Sequence, residues 1–123
     1  MRTGRAEEIN TFQYQLRFLI DRSPLYLELG NYLFHAVSQQ LTYAGISQEL
    51  SHRESEILRR LCEHRNEVVS TQSILLELWG DDSFFNSRSL HVFITKLRHK
   101  LAKDERLRIV NVRGIGYKLL FNE

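Results

Sequence analysis

One cysteine, one proline and no long uncharged apolar run are what this 123-residue sequence leaves out or nearly leaves out. The single Cys62 excludes an internal disulfide framework and points to a reducing compartment, so a cytoplasmic location is expected. The single Pro24, with 42% hydrophobic and 11% aromatic residues, excludes a disordered or proline-rich linker protein. The longest stretch without a charged side chain, Leu29 to Gln48, is interrupted by Asn31, His35, Ser38, Gln39 and Gln40, and no membrane contact is expected. Arg2, Arg5, Glu7 and Glu8 precede any apolar stretch, unlike a secretory signal peptide. No nucleophile motif, Walker loop or H-E-x-x-H occurs, and His35, His52 and His64 lack ligand partners at metal-binding spacing. The expectation is a protein that is not an enzyme and needs no metal or cofactor.

What is present is a strong charge asymmetry. Residues 1 to 87 hold eight Lys or Arg against twelve Asp or Glu, a net of −4, whereas 88 to 118 hold nine against two, a net of +7. An acidic polymer is the natural partner for such a basic pole. The chain length fits one compact domain with a short arm.

Apolar spacing from Ile9 through Phe12, Leu16, Leu19 and Ile20 predicts an amphipathic helix over Ala6 to Arg22. Its stripe needs a cover, and one reading makes it a dimerising helix. Pro24 to Asn31 reads as a linker ending in a Gly-Asn turn, which divides the chain into an arm over 1–30 and a domain over 31–123. Short alternating pieces from Tyr32 to Gln48 predict a small antiparallel sheet. Ser51 to Glu54 fits a capping box before a helix that buries Ile57, Leu58, Leu61 and Cys62. Val68 and Val69 read as an extended link, and Ser70 caps a second helix with Ile74, Leu75, Leu78 and Trp79 inward, stopped by Gly80. Asp81 to Asn86 reads as a loop, with Asn86 or Ser87 capping a third helix that runs to about Lys103. A hairpin of Arg108 to Val112 and Tyr117 to Phe121 follows.

On the third helix, Leu90, Ile94, Leu97 and Leu101 form one apolar stripe. Arg88, Val92, Thr95, Lys96 and His99 lie opposite, with Arg98 and Lys100 on the flanks and no carboxylate among them. Helix, helix and basic helix followed by a hairpin is the order of a winged helix-turn-helix, whose third helix fits the major groove of DNA. A solvated charged face is the bland explanation of such a helix.

The segments Leu78-Trp79-Gly80, Asn86-Ser87-Arg88-Ser89-Leu90 with Val92, Leu97 to Leu101, and Val112-Arg113-Gly114-Ile115-Gly116-Tyr117 resemble, in order and spacing, the effector domain of OmpR/PhoB-type response regulators. The resemblance covers roughly Asn31 to Phe121, and Trp79 to Leu101 looks most like the RprY-like branch. It implies an α+β fold: a four-stranded antiparallel sheet, a three-helix bundle and a C-terminal β-hairpin wing, here preceded by the N-terminal helix. The implied activity is sequence-specific DNA binding that controls transcription in a bacterial two-component system. A phosphorylated receiver domain and a sensor kinase are implied for a longer parent, in which Ala6 to Arg22 would be the receiver's last helix.

By that resemblance Ser89, His91, Val92, Thr95 and Lys96 face the groove, and the helical wheel adds His99. Lys96 suits guanine O6 and N7, and Val92 suits a thymine methyl. Arg88 and Arg98 match backbone-contact positions, and Lys100 joins them as a phosphate anchor on charge alone. Arg113 at the tip of the wing, with Gly114, Gly116 and Tyr117, is placed to reach a minor groove or its phosphates. Both glycines are attributed to turn geometry rather than to a phosphate loop. In the family, the loop holding Asp81, Asp82, Phe84 and Phe85 can contact RNA polymerase; the competing explanation is that the phenylalanines close the bundle. Pairing on direct-repeat sites is implied. The runner-up function is a winged-helix interaction module that binds an acidic protein partner or mediates dimerisation.

Overall fold

The computed structural model describes residues 26–122, and the expected helix over Ala6 to Arg22 lies outside them. The described chain runs through β1 (Tyr26–Leu29), β2 (Tyr32–His35), β3 (Gln40–Tyr43) and β4 (Ile46–Glu49). It continues through α1 (His52–Glu63), β5 (Val68–Ser70), α2 (Thr71–Trp79), α3 (Phe84–Lys100), β6 (Leu107–Val112) and β7 (Gly116–Phe121). The architecture is the expected α+β winged helix-turn-helix.

β1 to β4 pair in sequence order as an antiparallel sheet. The sheet begins earlier than expected, because the segment read as a linker contains β1, paired through Leu27 opposite Phe34 and Leu29 opposite Tyr32. The reason is burial: Leu29, Tyr32, Phe34 and Leu41 turn one face of the sheet into the core. The Gly30-Asn31 turn forms where it was expected. Gly30 sits at φ +58°, and a Cβ there would strike the Asp104 carboxylate. That carboxylate accepts the Asn31 N–H at 2.8 Å and the Arg106 guanidinium at 3.0 Å. The Arg106 hydrogen bonds hold the buried Asp104 well below the usual carboxylate range, so a charged latch joins the first hairpin to the turn after α3.

The capping box forms as the sequence predicts. The Ser51 hydroxyl accepts the Glu54 N–H at 3.1 Å, and the Ser51 N–H donates to the Glu54 carboxylate at 2.8 Å. Ser70 caps α2, which ends at Gly80 with φ 85°. Ile74 and Leu75 are buried, and Leu78 and Trp79 pack partly covered against the core.

α3 starts and stops three residues earlier than the sequence suggested. Its N-cap is Ser83, whose hydroxyl accepts the Asn86 N–H, and its last residue is Lys100. Phe84 to Asn86 therefore belong to the helix. Val68 and Val69 form more than a link, since β5 pairs with β7 in a sheet of order β5-β7-β6. β6 and β7 pair from Leu107 opposite Phe121 to Val112 opposite Gly116, leaving Arg113-Gly114-Ile115 as the wing tip. The wing is thus rooted between α1 and α2 in sequence by its third strand.

Candidate nucleic-acid interface

α3 is held by Leu90, Ile94 and Leu97, each fully buried, and Leu101 closes the stripe. Their periodicity dictates what points outward. Arg88, His91, Val92, Lys96 and His99 are exposed, whereas Ser89 and Thr95 are half-buried. Val92 keeps 52% of its surface in water, a position at which folding gains little from an apolar residue. The Thr95 hydroxyl turns back to donate to the His91 carbonyl at 3.1 Å. Among the described residues no carboxylate pairs with Arg88, Lys96 or Arg113; the Arg88 guanidinium lies 5.8 Å from the Phe84 ring centre, and the Lys96 ammonium 5.5 Å from that of Phe93.

The two flank residues are engaged inside the protein. Arg98 is half-buried, and its Nε donates to the Ile109 carbonyl at 2.9 Å, tying α3 to the wing strand β6. Lys100 donates to the Glu54 carboxylate at 2.8 Å and to the Glu49 carbonyl at 3.1 Å. Its ammonium anchors the end of α3 to the start of α1, a role different from the phosphate anchor expected. Burial works against charge on Glu54, but Lys100 and the Ser51 N–H outweigh it and hold the group below the usual glutamate range.

The wing closes the other side. Buried Tyr117 joins Ser87, Arg88, His91 and Val92 around a shallow depression of about 360 Å³ between α3 and β7. Burial pushes the Tyr117 hydroxyl up from its ordinary pKa, keeping it a neutral donor. Arg113 and Gly114 stand exposed at the tip, with Gly114 at φ 78°. Turn geometry accounts for Gly114 only. Gly116 is buried, and a Cβ there would fall on the Val69 carbonyl oxygen and the first backbone atoms of α2, so close approach requires it.

Before α3, the Asp81 carboxylate accepts the Ser83 N–H at 3.0 Å and the Asn86 side-chain amide at 2.7 Å, and the Ser83 bond holds it below the usual range. Asp82 accepts from Gln72 at 3.1 Å. Phe84 and Phe85 remain 69% and 79% exposed, so they do not close the bundle. Two exposed residues of the wing escape a reading of the sequence. Exposed Asn111 lies opposite Tyr117 in the β6–β7 register, and Ile115 at the wing tip keeps 57% of its surface exposed. Neither carries a charge or a turn signal of its own, and only the strand register could have marked them. Among the described residues no cluster of three or more His, Cys, Asp or Glu could hold a metal, and no helix is long and apolar enough to cross a membrane.

Residues 45–119 match the family model described as transcriptional regulatory protein, C terminal. The chain belongs to this family. Among the relatives of this effector domain is the transcriptional regulatory protein RprY of Bacteroides fragilis, 40% identical over 96 residues that make up 78% of this chain and 41% of RprY. The chain thus spans about two fifths of that relative's length, and the likeness agrees with the branch resemblance read from Trp79 to Leu101. The C-terminal domain of the nisin resistance regulator NsrR, a lantibiotic response regulator, superposes with a TM-score of 0.61 at 35% identity, covering 76% of this chain and 94% of that one. The Klebsiella pneumoniae RstA DNA-binding domain, solved in complex with RstA box, gives a TM-score of 0.66 at 27% identity over 78% of this chain and 97% of that one.

Proposed function

We propose that this chain is the DNA-reading effector domain of a response regulator, with α3 in the major groove and the wing tip on the adjacent minor groove. The observation that carries this reading is the outward face of α3. Arg88, His91, Val92, Lys96 and His99 are exposed together, no carboxylate pairs with the cations among the described residues, and an apolar residue stands among them. Lys96 donates to guanine O6 and N7, and Val92 packs on a thymine methyl. Ser89, His91, Thr95 and His99 border these contacts. Arg88, the outer nitrogens of Arg98 and Arg113 hold phosphates and fix register. The RstA domain, related in sequence and fold, was solved on DNA.

Within a parent protein of regulator length, a receiver domain and sensor kinase would control this domain, and two copies would pair on direct repeats. Asp81, Asp82, Phe84 and Phe85 form a second surface, two carboxylates beside two exposed rings. Its charge repels DNA and suits a protein partner, for which RNA polymerase is the reading we adopt. Such a reader works in the cytoplasm.

Selection from a pool of random duplexes tests the proposal. Enrichment of one motif by the wild-type chain, lost with Lys96→Ala, is the expected result. Equal recovery of all sequences by both proteins would overturn specific readout.

A further inference from the structure

The Lys96 ammonium lies 5.5 Å from the centre of the Phe93 ring, three residues earlier on α3. Side chains on a helix lean toward its N-terminus, so the Lys96 stem passes over the turn that carries Phe93. The ring itself is braced. Phe93 is half-buried against the core, and its ring centre lies 6.1 Å from that of Trp79 with 59° between the planes. The Arg53 guanidinium covers Trp79 at 3.9 Å. Arg53 comes from the start of α1, Trp79 from the end of α2 and Phe93 from the middle of α3, so all three helices contribute to the contacts that end at Lys96.

A lysine is a poor base reader when nothing restrains it, because a point charge on a flexible four-carbon stem gives up about 2 kcal/mol of rotamer freedom to hold one geometry. Among the described residues no carboxylate restrains Lys96, and the neighbouring Thr95 hydroxyl is turned back to the His91 carbonyl. The Phe93 ring is the restraint that remains. A carboxylate in its place would hold the ammonium more strongly, but it would occupy the donors and cancel the charge. The face of an aromatic ring attracts a cation while leaving its N–H groups unspent. Packing on the core explains the covered part of Phe93; it does not explain why the cation beside it is left with all its donors.

We propose that Phe93 is a positioning residue for base recognition: its ring, braced by Trp79 under Arg53, holds the Lys96 ammonium with its donors free and so sets how strongly this chain prefers guanine at the base pair Lys96 reads. This rests on the DNA-binding reading above. Phe93 acts through Lys96 and makes no base contact of its own. Its effect is therefore confined to one base pair and vanishes when Lys96 is absent.

The test is a double-mutant cycle on the full chain, read by anisotropy with two duplexes: the one enriched from the random pool, and the same duplex with the G·C pair whose preference depends on Lys96 changed to A·T. Phe93→Leu and Phe93→Met remove the ring face and keep an apolar side chain, and the methionine can still touch Trp79. Either is expected to reduce the ratio of the two affinities about two- to fivefold with an unchanged salt slope, since no charge is lost. Phe93→Tyr keeps the ring and should restore the ratio. In a Lys96→Ala background neither Phe93 substitution should change the ratio further. Equal weakening on both duplexes, or the same change of ratio with Lys96 absent, would assign Phe93 to packing alone and overturn the inference while leaving the DNA reading intact. Specific binding in which Lys96→Ala alters no base preference would overturn the role given to Lys96 and this inference with it. Absence of sequence preference in the wild type would overturn the DNA reading itself.

Discussion

Lys96 and Lys100 lie one turn apart on α3 and do opposite things. Lys96 ends in solvent, while Lys100 is 27% exposed and neutralises a Glu54 side chain that is only 4% exposed. Removing Lys100 leaves a buried carboxylate with only the Ser51 N–H to satisfy it. Lys100→Ala should destabilise the fold by about 1–3 kcal/mol, seen as a lower Tm, whereas Lys96→Ala should leave Tm unchanged and weaken DNA binding. Equal melting of the two variants would contradict this division. A helical wheel places both lysines on or beside the solvent face, because it carries no information about Glu54, 46 residues away. Arg98 escapes for the same reason, since its partner is a backbone carbonyl of β6. The exposed members of the face, by contrast, are legible, because burial of Leu90, Ile94 and Leu97 alone decides which residues point away.

At the scale of elements, legibility follows the strength of the local signal. The Ser51 capping box and the Ser70 cap form where the side chains predict them. The start of α3 is displaced from its expected position because Phe84 and Phe85 do not join the apolar stripe, so periodicity begins only at Leu90 and the cap at Ser83 lacks the glutamate of a capping box. β1 is hidden by its length, four residues after a proline, and only its pairing with β2 defines it. Gly116 shows how an element can depend on a residue whose reason is not local. Gly116→Ala forces a Cβ into the Val69 carbonyl and the start of α2, backbone atoms that cannot swing aside. The expected cost is roughly 1–3 kcal/mol or more, with the wing separating from α2. Gly114→Ala meets no atom within 4 Å and pays only for its φ of 78°. Thermal unfolding of the pair should therefore rank Gly116→Ala well below Gly114→Ala, and the reverse order would contradict the close-approach account.

At the scale of the molecule, charge is segregated along the sequence. The basic residues from Arg88 to Lys118 fall on α3, the turn after it and the wing, while the acidic residues concentrate in the chain that precedes them. The Glu54–Lys100 pair ties α3 to α1, and the Arg98 bond to the Ile109 carbonyl ties α3 to the wing that carries Arg113. Composition alone makes this pole legible; which of its cations face solvent depends on contacts between segments far apart in sequence, as Lys100 and Arg98 show. The most direct test of the central claim is the slope of log binding constant against log salt for duplex DNA. With Arg88, Lys96, Arg98 and Arg113 as the groups that meet phosphates or bases, the slope should be roughly −3 to −4. Affinity unchanged between about 50 and 200 mM salt would contradict a DNA-binding surface.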